Sequence, residues 1–98
     1  MELTSKQRAQ LRGMAATMDT ILHVGKDGIS ENLIRTISDA LEARELIKLH
    51  MLKNCFEDCN AVAQTLAERT RSQVVQVIGK KIVLYRESKT KKKIELPK

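Results

Sequence analysis

The stretch Ile21-Leu22-His23-Val24-Gly25-Lys26-Asp27-Gly28-Ile29-Ser30 decides the fold, because its pattern changes from strand to helix across one short loop. Ile21 to Val24 is a brief apolar run of strand character, stopped by Gly25 and Gly28. Ser30 then has the side chain and the place of a helix N-cap, and Leu33, Ile34, Ile37 and Leu41 recur at helical spacing behind it. Ile29 and Ile34 are spaced as a hydrophobic staple, and Glu31 suits the positive helix start and is expected to pair at i, i+4 with Arg35. The unit is strand, glycine-bounded loop, helix.

Toward the N-terminus, Thr4 followed by Gln7 reads as a capping box, and Leu11, Met14 and Met18 form an apolar stripe for a first helix that ends before Asp19. Lys6, Arg8 and Arg12 fall off that stripe and predict a basic outer surface, although charges of this kind also serve ordinary helix solubility. Toward the C-terminus, Leu46 to Leu52 alternates, with Ile47, Leu49 and Met51 on one side and Lys48 and His50 on the other. Asn54, with Glu57 three residues later, predicts the start of a third helix buried through Cys59, Val62, Ala63 and Leu66. Gln73–Ile78 and Lys81–Arg86 are Val- and Ile-rich strands, and Gly79-Lys80 between them suits a type II′ turn.

The predicted class is α/β, in the order helix, strand, helix, strand, helix, strand, strand. Strand-helix-strand crossovers make the first three strands parallel, and the hairpin turns the fourth back, giving a four-stranded mixed sheet. At 98 residues the chain is one domain's worth, able to bury about 60–65% of the surface that its unfolded form exposes. With 42% hydrophobic and 31% charged residues it is globular, residues 1–86 forming the domain and 87–98 a basic tail.

The net charge of +6 is unevenly placed. Residues 79–98 carry eight Lys/Arg against Glu87 and Glu95, which accounts for all of it. Positive charge gathered at the chain ends points to a polyanionic partner. No apolar run is long enough to span a bilayer, and Glu2 stands where a signal peptide wants positive charge, so the expected location is the cytoplasm. Cys55 and Cys59 are too few for a disulfide framework, and with His50 they lack a fourth ligand and zinc-site spacing. No metal or other cofactor is expected.

The carboxyl ends of parallel strands share one sheet edge, where open α/β folds bind ligands. Gly25-Lys26-Asp27-Gly28, Lys53 and Gly79-Lys80-Lys81 all fall there. The two loop glycines let a phosphate approach the backbone, the following helix offers N–H groups, and Lys26 adds charge that Asp27 offsets. Lysines at a hairpin also discourage edge-to-edge aggregation. Phe56 and Tyr85 are the only aromatic residues apart from histidine, too few for a base-stacking platform, so structured or double-stranded RNA is the better fit. His23 and His50 lie in strands, no nucleophile motif surrounds a Ser or Cys, and no carboxylate pair is placed for acid-base chemistry. The chain does not read as an enzyme.

Four stretches resemble the CRM family, the chloroplast RNA splicing and ribosome maturation domain, in its stand-alone bacterial YhbY-like form. They are Leu3–Gln7, His23–Ile29, Ala40–Glu42 with Glu45–Lys48, and Val77–Arg86. The resemblance implies a fold similar to the C-terminal domain of translation initiation factor three, with the G-x-x-G loop as an RNA contact. It also implies association with the precursor of the large ribosomal subunit and help in its assembly. The expected site is Gly25, Lys26, Asp27 and Gly28 as the clamp, with Lys80, Lys81 and Arg86 extending it and Lys6, Arg8, Arg12 and Lys53 alongside. The expected protein is a non-catalytic, monomeric binder of ribosomal RNA. An Alba-like DNA-binding chromatin protein and a protein-interaction module are the alternative readings.

Overall fold

The computed structural model describes residues 3–26, 28–53 and 57–97, and its elements follow the predicted order. They are α1 (Ser5–Ala15), β1 (Leu22–Val24), α2 (Glu31–Arg44), β2 (Leu46–Met51), α3 (Cys59–Thr70), β3 (Gln73–Ile78) and β4 (Lys81–Tyr85). The sheet order is β1-β2-β4-β3. β1 and β2 are parallel, while β4 lies antiparallel to both β2 and β3, so the first three strands do run the same way. The inner place of β4 follows from its sequence, because Ile82, Val83, Leu84 and Tyr85 are all buried and a strand covered on both faces needs an unbroken apolar run.

Two cores sandwich the sheet. On one face Ile47, Leu49, Met51, Ile82 and Leu84 pack against Ile37 and Leu41 of α2 and Val62, Ala63 and Leu66 of α3. On the other, Leu46, Val75, Val83 and Tyr85 pack against Leu11 and Ala15 of α1 and Ile94 near the C-terminus. Full burial of a Leu or Ile contributes about 1.5–3 kcal/mol, and both layers hold several such residues.

The local signals hold at two helix starts. Thr4 and Gln7 exchange both capping-box hydrogen bonds, at 3.1 and 3.0 Å, and the Ser30 hydroxyl accepts the Leu33 N–H at 3.1 Å. The third start differs: Asp58 caps α3 by accepting the Ala61 N–H, and Asn54, expected in that role, lies outside the described residues. Met14 is 39% exposed, and Ala15 takes the buried place expected for Met14. Glu31 pairs not with Arg35 in its own helix but with Arg69 of α3, at 2.5 Å.

The last residues fold back. Glu45, wholly buried at the end of α2 with φ 67°, accepts N–H bonds from Ser88, Lys93 and Ile94. Burial alone would raise its carboxyl pKa, and these three donors outweigh that and hold it low. Glu42 beside it takes hydrogen bonds from the hydroxyls of Ser88 and Thr90 and from the N–H groups of Thr90 and Lys89, which bring its pKa down to about 2. Two acidic residues thereby hold the backbone of a lysine-rich segment, leaving Lys91, Lys92 and Lys93 exposed.

Candidate nucleic-acid interface

Register fixes what meets at the carboxyl edge of the sheet. Val24 pairs with Met51, and the Leu52 N–H donates to the Val24 carbonyl at 2.8 Å. The Met51 N–H in turn donates to the Lys80 carbonyl at 2.7 Å, while His50 stands opposite Lys81. Three strands at about 4.8 Å spacing thus set the Gly25 loop, the Lys53 turn and the β3–β4 hairpin side by side within about 10 Å. Lys26, Lys53, Lys80 and Lys81 are all exposed there.

Two of these loops have a local cause. The Gly28 N–H donates to the Gly25 carbonyl at 3.0 Å, closing a tight turn, and Gly28 has φ 64°. A Cβ on Gly28 would also stand 2.8 Å from the Glu57 carboxylate. The positive φ favours glycine from inside the protein, and its N–H is already engaged. After the turn, helix geometry leaves the first N–H groups of α2, at Glu31 and Asn32, without an intrahelical acceptor. At the hairpin Gly79 has φ 56° while Lys80 keeps negative φ, the type II′ pattern. Asp27 lies outside the described residues.

The site continues onto the sheet face that α1 partly covers. His23 and His50 pair across β1 and β2 with ring centroids 5.9 Å apart, edge to face, and Lys81 is the next residue across on β4. Arg12 is exposed on the same side of the molecule, lining a groove with Lys81. The two histidines were legible only as strand residues. The Lys48/His50 alternation was the signal that they face a surface shared with lysines. Glu57 is the other unforeseen neighbour, and it places negative charge against the loop.

Three expected site residues lie away from this edge. The Arg86 guanidinium donates to the Thr70 carbonyl at 2.8 Å and to the Ser38 carbonyl and hydroxyl at 2.7 and 3.0 Å. It ties α2 to α3 at the opposite end of the sheet, where Tyr85 pairs with Leu46, away from the Gly25 loop and the hairpin turn. Arg8 donates to the carbonyls of Val74 and Val75, where a register shift breaks the β3 ladder, and so satisfies acceptors that the bulge leaves open. Lys6 is exposed in the first turn of α1, about 9 Å along the helix from Arg12. Docking through Glu45 likewise keeps residues 88–94 at that far end.

Among the described residues no group of three or more His, Cys, Asp and Glu side chains could hold a metal ion, and no helix is long and apolar enough to cross a membrane. What the edge offers is a row of exposed ammonium groups over hydrogen-bonded backbone, suited to an extended anion.

An αβαβαββ frame with a cationic strand-end edge defines a small basic α/β binding module. Residues 3–86 match the CRS1 / YhbY (CRM) domain, and the chain belongs to that family. It is 55% identical to "Probable RNA-binding protein YqeI" of Bacillus subtilis, over 97% of this chain and 99% of that one. An "RNA-binding protein" of Haemophilus influenzae is 32% identical over 98% and 96% of the two chains. The solution structure of the Staphylococcus aureus protein SAV1595 superposes with a TM-score of 0.82, at 56% identity, covering 98% of this chain and all of that one.

Proposed function

We propose that this protein is a non-catalytic RNA-binding protein that grips the phosphate backbone of structured ribosomal RNA and assists assembly of the large-subunit precursor in the cytoplasm. The observation that carries the reading is the bonded row from Val24 through Leu52 and Met51 to Lys80, which aligns lysines from three separate loops on one edge. Family membership and relatives named as RNA-binding support it. The scarcity of aromatic residues favours shape and phosphate recognition over base stacking along a single strand.

Charge is divided among three loops, and the G-x-x-G turn serves chiefly as a pivot. Lys26, Lys53, Lys80 and Lys81 contact phosphates, and the start of α2 contributes N–H donors. The protein acts as a monomer.

Crosslinking in cells followed by sequencing of the attached RNA tests the assignment. Enrichment of large-subunit ribosomal RNA precursor is expected. Enrichment of messenger RNA, or preference of the purified protein for duplex DNA over structured RNA of equal length, would overturn it.

A further inference from the structure

We infer that the groove between α1 and the β3–β4 hairpin receives one unpaired nucleobase of the bound RNA, a base bulged or looped out of a structured region. This rests on the RNA-binding reading above and adds which part of the RNA is read.

The groove has a volume of about 540 Å³. Arg12, Gly13 and Ala16 form one wall and Gln76, Ile78 and Lys81 the other. Ile78 is 58% exposed, the most exposed large hydrophobic side chain among the described residues. A bare apolar side chain between two cations suits a flat ring attached to an anionic backbone, and the Gln76 amide can both donate to and accept from a base edge. Lys48 also lines the groove, but its ammonium donates to the Ala15 and Met18 carbonyls, at 3.0 and 3.3 Å, and serves the end of α1.

Gly13 supplies an independent observation. It sits inside α1, where glycine disfavours a helix more than any residue except proline. A Cβ placed there would meet nothing within 4 Å, so no neighbour in the chain requires the position to be bare. The space in front of it is the groove. A ring lying flat against the helix backbone accounts for a glycine that internal packing does not.

The groove is also continuous with the proposed phosphate edge. Lys81, on its wall, pairs with His50, and Lys80 before it holds the Met51 N–H at the edge. A backbone gripped at the hairpin therefore passes the groove mouth, with Arg12 and Lys81 beside the flanking phosphates.

The test uses three RNA hairpins sharing one stem: fully paired, with a single-nucleotide bulge, and with an abasic residue at that bulge. The wild-type protein is expected to prefer the base-bearing bulge over the abasic one by about tenfold. Gly13→Gln, which fills the groove, should abolish that preference, leave binding to the paired hairpin unchanged and raise the melting temperature. Ile78→Thr should weaken the preference while keeping the strand. Equal wild-type affinity for the two bulges with the paired hairpin still bound overturns the groove inference alone, as does an undiminished preference in folded Gly13→Gln. Failure to bind all three hairpins overturns the RNA reading and this inference with it.

Discussion

The N–H of Met51, last residue of β2, donates to the carbonyl of Lys80 at the tip of the β3–β4 hairpin. Through this bond a turn far along the sequence is fastened beside the loop that follows β1. Lys26→Glu and Lys80→Glu, on separate loops of one edge, should each weaken RNA binding by about tenfold, with unchanged thermal stability because both side chains are exposed. Titration of a structured RNA against each variant checks this.

Gly28→Asp should behave differently. The positive φ and the 2.8 Å approach to Glu57 mean that the substitution strains the backbone by about 1–2 kcal/mol and sets two carboxylates together. Denaturant unfolding should show lost stability alongside lost affinity.

Glu57→Gln should tighten binding, because it removes a negative charge next to the loop. A gain of about threefold at low salt that fades above about 0.5 M salt is expected. No gain at any salt would place the phosphate path away from the loop.

Arg86→Ala should cost about 2–3 kcal/mol of stability and leave the affinity of the folded protein intact, since its guanidinium is spent on Ser38 and Thr70. Chemical denaturation and RNA titration of the same sample separate the two effects.

Folding stability should decline in acid through the C-terminal latch. Both Glu42 and Glu45 have lowered pKa values in the folded protein, so their contribution is complete above the ordinary carboxylate value of 4.5. For Glu42 it is lost as pH falls toward its folded value of about 2. Unfolding midpoints should drop below about pH 4.5, and at neutral pH Glu45→Gln should speed tryptic cleavage at Lys91–Lys93.

The elements were legible where one local rule decided them: the Thr4–Gln7 box, the Ser30 cap, the alternation of Leu46–Met51 and the glycine of the hairpin. The edge was legible because strand-helix-strand crossovers make consecutive strands parallel, which gathers Lys26, Lys53 and Lys80 at one end of the sheet. Individual charged side chains were not. Arg8 and Arg86 look like Lys81 in sequence, and only the carbonyls that tertiary packing leaves open show that two of the three are engaged. The docked end was hidden for the same reason, since Glu45 and Ile94 are far apart in sequence and a run of lysines looks solvated until an anchored carboxylate is set beneath it.

The salt dependence of RNA affinity, measured for wild type, Lys80→Gln and Arg86→Gln, tests the phosphate-gripping edge most directly. With about four phosphates neutralised, log K should fall against log salt with a slope near −3 to −4. Lys80→Gln should make the slope shallower by about 0.7–0.9, and Arg86→Gln should leave it unchanged. A slope near zero, or an equal change from both substitutions, would contradict the account.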